Sequence, residues 1–147
     1  MIAQEDIKAS GALRVVITAP DGSIKEEHEF TNLVVTAGKN FVASRMVGTA
    51  SAVMSHMAIG SGSTAAAAGQ TALVTELGRV ALAGSSASAN VVTYTATFPA
   101  GTGTGAVVEA GIFNDPSAGT MLCRTVFAVV NKGADDAMSV TWTVTIS

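Results

Sequence analysis

From Met138 onward the chain alternates without a break. Met138, Val140, Trp142, Val144 and Ile146 fall on one face, and Ser139, Thr141, Thr143, Thr145 and Ser147 on the other. Side chains of a strand point to opposite faces with period two, so the pattern predicts a strand with one buried face. Its outer face is rich in hydroxyls and carries no charge, which suits a surface partly covered by other side chains or by another protein. Residues 12–19 show the same alternation through Leu13, Val15 and Ile17. Pro20, Asp21, Gly22 and Ser23 follow as a tight turn, with Pro presetting φ and Gly taking the left-handed position. Residues 24–30 return as a strand with Lys25, Glu27 and Glu29 facing out, which completes a hairpin.

One helix is predicted, near residues 37–47. Thr36 caps it, Phe41, Val42, Arg45 and Met46 share a side at helical spacing, and Gly48 stops it. Residues 53–59 read as a strand, residues 60–69 as a low-complexity loop, and residues 71–77 as a helical turn ending at Gly78. The second half is strand after strand: 91–98 ended by Pro99, 106–113, an apolar central strand over 120–130, and the closing strand. Turn residues separate them at 101–105, 114–119 and 131–136. Short strands at regular spacing predict an all-β protein, a jelly-roll-like antiparallel β-sandwich with one short helix. The expected organisation is an N-terminal arm over 1–11, with Ile2 and Ile7 as apolar anchors, and a single β-sandwich domain over 12–147.

Composition narrows the function. Charged residues make up 13% of the chain, roughly half the usual share. A low-charge chain rich in Val, Thr, Ala and Gly fits a β protein that works inside an assembly. The net charge of -3 comes with no basic stripe, so nucleic acid is not an expected partner. A lone cysteine, Cys123, leaves no intrachain disulfide and no cysteine-based zinc site. The acidic start does not read as a secretory signal, and no apolar run approaches membrane-spanning length, so no membrane is expected.

Candidate chemistry is sparse. Gly60, Gly62 and Ala65 match a dinucleotide-binding G-x-G-x-x-A spacing, but no helix opens at the loop and no βαβ pattern follows, so a surface loop is the better reading. His28 sits in an acidic strand and His56 between methionines, far apart in sequence, which gives no metal-ligand spacing. Cys123 alternates within an apolar strand as a small hydrophobe. Asp135 and Asp136 read as turn residues. Glu109 and Arg124, lone charges in neighbouring apolar strands, read as a cross-strand ion pair. No catalytic, cofactor-binding or metal-binding set emerges, and no cofactor or enzymatic activity is expected. The residues expected to meet a partner are Ile2, Ile7, Ser139, Thr141, Thr143 and Thr145.

Several stretches taken in order resemble small virion proteins of tailed bacteriophages. They are Asn32-Leu-Val-Val-Thr-Ala-Gly-Lys-Asn40, Ser55-His-Met-Ala-Ile-Gly-Ser-Gly-Ser-Thr64, Thr71-Ala-Leu-Val-Thr-Glu-Leu-Gly-Arg79, Glu109-Ala-Gly-Ile-Phe-Asn114 and Leu122-Cys-Arg-Thr-Val-Phe127. Asn131-Lys-Gly-Ala-Asp135 and Thr141-Trp-Thr-Val-Thr-Ile146 close the series. The resemblance spans residues 30–147 and rests on order and spacing. It implies a jelly-roll cement or decoration protein on the capsid exterior, assembled in the host cytoplasm. Its partners would be the major capsid protein and a second copy of itself, a dimer being favoured. The stretch from Glu109 to Asn114 also looks like segments of tail-fibre and baseplate modules, so a tail-fibre or baseplate adaptor is the alternative reading. A carbohydrate-binding β-sandwich is a third. It would want exposed aromatics, whereas Trp142 and Tyr94 both lie on strand faces that read as buried.

Overall fold

The alternating segments form strands as expected. Leu13, Val15 and Ile17 are buried in β1 (Ala9–Thr18), which turns into β2 (Ile24–Val34). The turn is built by the predicted residues. Gly22 adopts φ +87°, a left-handed conformation that a side chain would strain, and Asp21 Oδ1 accepts the Ser23 N–H at 2.9 Å. The closing segment is β9 (Ala137–Ile146), with Met138, Val140, Trp142 and Val144 all buried. β9 lies between β1 and the strand over Val91–Phe98.

The structure is a computed structural model and describes residues 6–48 and 51–147. In chain order its remaining elements are α1 (Thr36–Arg45), β3 (His56–Gly60), β4 (Glu76–Ala81), β5 (Gly84–Ser88), β6 (Val91–Phe98), β7 (Gly105–Phe113) and β8 (Met121–Lys132). All strands join one antiparallel sheet in the order β4-β3-β7-β8-β2-β1-β9-β6-β5. The predicted two-layer sandwich is therefore corrected to a single nine-stranded sheet curled into a half-barrel. The reason lies in β2. Its long first part pairs with β1, and only Leu33 and Val34 pair with β8, opposite Arg124 and Cys123. This short splice joins two sheet regions that would otherwise be separate layers. The curl brings β4 close to β6 and wraps one core. Leu13, Ile17, Phe98 and Trp142 from one side of the splice meet Met57, Ile59, Ile112 and Cys123 from the other.

Other boundaries move. β1 begins at Ala9, inside the predicted arm, and the Lys8 and Ser147 backbones exchange hydrogen bonds at 2.7 and 2.8 Å. The helix begins at Thr36 with Val35 in the capping position and no side-chain cap, so Thr36 is not the cap. Phe41 and Val42 pack on the core, whereas Arg45 and Met46 face solvent. Gly38 lets the helix lie directly on β8, because a Cβ there would overlap the Leu122 carbonyl oxygen. Residues 71–75 form no helical turn. The N–H groups of Val74 and Thr75 go to a buried carboxylate instead of to helical carbonyls. β4 and β5 had not been expected as strands.

Candidate functional site

The most elaborate polar constellation is centred on Glu109 and Arg124, both fully buried. A bulge places them. Val107 pairs with Val130 but Glu109 pairs with Val126, so the ladder slips beside Val108 and β8 bows out over residues 127–129. Val107 belongs to the main core, and the slip turns Glu109 to the opposite face of the sheet. There it meets loop 61–75. Glu109 Oε1 accepts from Val74 N at 2.8 Å and Arg124 Nε at 3.1 Å. Oε2 accepts from Gly62 N at 2.7 Å and Thr75 N at 2.8 Å. The Arg124 guanidinium donates onward to the Thr64 carbonyl and Gln70 Oε1, both at 2.9 Å.

The expected cross-strand ion pair is present, with Arg124 Nη2 and Glu109 Oε1 3.0 Å apart, and it serves as the anchor of a loop. Four hydrogen bonds occupy the four lone-pair positions of the carboxylate, leaving none to take a proton from a substrate. The low-complexity stretch over 60–69 is thus pinned. Gly62 is the residue that allows it, because a Cβ at that position would overlap Glu109 Oε2. Leu73 is the apolar anchor of this loop, packing with Ala58, Phe113, Met121 and Val35 in a second small core.

The other candidate side chains stay apart. His28 is on β2, 3.5 Å from Glu26, and stacks on Phe30. His56 is on β3 beside Ser55 Oγ at 2.8 Å, with β7 and β8 between its strand and β2. Cys123 is buried, and burial pushes its thiol pKa up, away from the reactive thiolate. Asp136 acts in the turn before β9. It takes the Gly133 N–H and Lys25 Nζ, each at 3.0 Å, while its carbonyl accepts the buried Lys132 Nζ at 2.8 Å. The hydrogen bond from Lys25 is the main cause holding the Asp136 carboxyl below its ordinary pKa. Burial lowers the pKa of Lys132. Among the described residues, no group of three or more His, Cys, Asp or Glu is placed to hold a metal ion, and no helix is long and apolar enough to cross a membrane.

The residues expected to meet a partner fall on two different surfaces. Ser139, Thr141, Thr143 and Thr145 line the outer face of β9, opposite Thr97, Thr95, Thr93 and Val91 of β6. On the other flank they face Val16, Arg14, Ala12 and Ser10 of β1. The result is a two-strand array of seven hydroxyl side chains on the outside of the curl, with the exposed Arg14–Glu27 pair at its border. Ile7 is 82% exposed and borders an apolar groove with Val42, Met46 and Ile146. That groove lies on the Ile146 side of β9, away from Thr145. Ile2 lies outside the described residues. The hydroxyl stripe of β9 was readable from its alternation. The groove was not, because it is made by residues from three distant segments.

Comparison with protein-family models, with curated proteins and with solved structures finds no match to this chain.

Proposed function

We propose that the protein is a non-enzymatic structural component of a tailed-phage particle, a cement protein that docks on the outside of the capsid and bridges neighbouring major capsid subunits. The observation that carries this reading is the outer face of β6 and β9. Thr93, Thr95, Thr97, Ser139, Thr141, Thr143 and Thr145 stand side by side there with no charge among them. Such a face costs little to desolvate compared with a charged one, and each hydroxyl both donates and accepts, so it can pair with a partner's backbone or side chains. The order of sequence stretches that resembles small virion proteins supports the same reading. A repeating shell would supply many such contacts at fixed spacing, where individually modest interactions add through effective concentration.

The test is binding to shells assembled from the major capsid protein alone, with copies per particle counted by quantitative mass spectrometry. Hundreds of copies are expected. A handful per particle would favour the tail or baseplate instead. Thr141→Lys, at an exposed position of the array, should abolish occupancy while the circular dichroism spectrum stays unchanged. Undiminished binding of that variant would remove the array from the interface.

A further inference from the structure

An open sheet has two edges, and this one treats them differently. At one end, β4 is charged and crowded. Arg79 pairs with Glu76 and donates to the carbonyls of Asp115 and Ala118 at 2.9 Å, while Gly78 packs against the backbone of Gly103. At the other end, β5 pairs with β6 in unbroken register, from Gly84 opposite Thr95 to Ser88 opposite Val91. Among the described residues no strand pairs with its far side and no hydrogen bond reaches the outer edge of Gly84–Ser88. Edges are normally blunted by charge, proline, a bulge or a covering segment. β5 has none of these, while β4, in the same protein, has both charge and cover.

We infer that the β5 edge pairs with β5 of a second copy, antiparallel about a two-fold axis, and so continues the sheet from one protomer into the next. The partner is argued from the strand itself. Centred on Ser86, the pairing sets Gly84 against the partner's Ser88 and Ser85 against the partner's Ala87, with no like charges opposed and no bulky side chain to clash. One isologous contact satisfies both bare edges and closes, so it yields a dimer and no fibre. The two-fold also has a consequence for the outer face. Ser86 and Ser88 lie in register with Thr93 and Val91, so the hydroxyl arrays of two copies run on across the joined edge. The inference does not depend on the capsid reading, and its test uses the isolated protein.

Light scattering on a dilution series should show the intact protein passing between monomer and dimer. Ser86→Lys and Ser86→Glu each set like charges against one another at the two-fold, and each should weaken self-association at least about tenfold. An equimolar mixture of the two should restore the dimer. Hydrogen exchange of the unsubstituted protein adds a readout independent of any variant: protection of amides in 84–88 should rise with concentration. A protein that stays monomeric at every concentration would overturn the inference. So would a dimer that both single variants leave intact, since that places the contact elsewhere, such as the groove beside Ile7.

Discussion

Glu109 shows how a single side chain can decide what a segment does. Its fully buried carboxylate binds three backbone N–H groups of loop 61–75 and the Arg124 guanidinium. Glu109→Gln keeps the shape but removes the charge and one acceptor, leaving Arg124 buried without its counter-ion. A loss of about 3–5 kcal/mol is expected from urea titration. Adding Arg124→Met should recover part of it, because the stranded charge goes too. Trp142 presents a different balance. It is completely buried, yet its indole N–H has no hydrogen-bond partner. Trp142→Ala should cost about 3–5 kcal/mol. Trp142→Phe should cost much less, because it fills most of the space and removes the unpaired donor. Equal losses in the two variants would overturn this balance. Asp136 sets an acid limit. Its folded pKa lies below the ordinary 3.8, so the stabilisation it gives is complete above that value and is lost as pH falls through the folded value. Thermal melts between pH 5 and 2 should therefore show a shallower acid decline for Asp136→Asn than for the unsubstituted chain, with the Asn variant less stable at pH 7.

At the scale of elements, the N-terminal segment divides at Lys8. From there on, the backbone is tied to the final strand: Lys8 bonds to Ser147, and Ala9 and Ser10 stand opposite Ile146 and Thr145. Deleting residues 2–6 leaves Lys8 and the whole β1–β9 ladder in place, and the melting temperature should stay within about 2 °C of the full chain. Deleting residues 2–10 should destabilise, because it strips the ladder from the end of β9 and exposes Ile146. Differential scanning calorimetry of the two truncations separates these outcomes. If the shorter deletion alone weakens capsid binding, the arm takes part in docking. The bulge beside Val108 is the other element-scale device. Without it Glu109 would share a face with Val107 and enter the apolar core.

In the whole molecule, β1 pairs with β9 and one core spans both sides of the β2 splice. The two sheet regions therefore share their main core, and only the small cluster around Leu73 and Phe113 belongs to one side alone. Urea unfolding should be a single transition, with Trp142 fluorescence and far-ultraviolet circular dichroism coinciding. Two separated transitions would show that the regions on either side of the splice fold independently. Folding should also be slow for a chain of this size, since its ladders join residues distant in sequence.

By itself the sequence determined the strands that have one buried face. β1, β6 and β9 announce themselves because an alternating strand must put its apolar residues on one side. The turn at 20–23, the burial of Trp142 and the Glu109–Arg124 pair were legible for similarly local reasons. β4 and β5 were not. Both lie at sheet edges with little buried surface, and Gly84-Ser-Ser-Ala-Ser88 contains no large apolar residue to set a period. Residues 71–75 misled because a short apolar run gives no sign that a carboxylate more than thirty positions away will claim its N–H groups. The choice between a sandwich and a curled sheet is made by long-range pairing, because it rests on two residue pairs between β2 and β8. The tertiary structure likewise decided that Ile7 and the β9 hydroxyls face different ways, since Thr145 and Ile146 alternate across a strand whose two sides meet different surroundings.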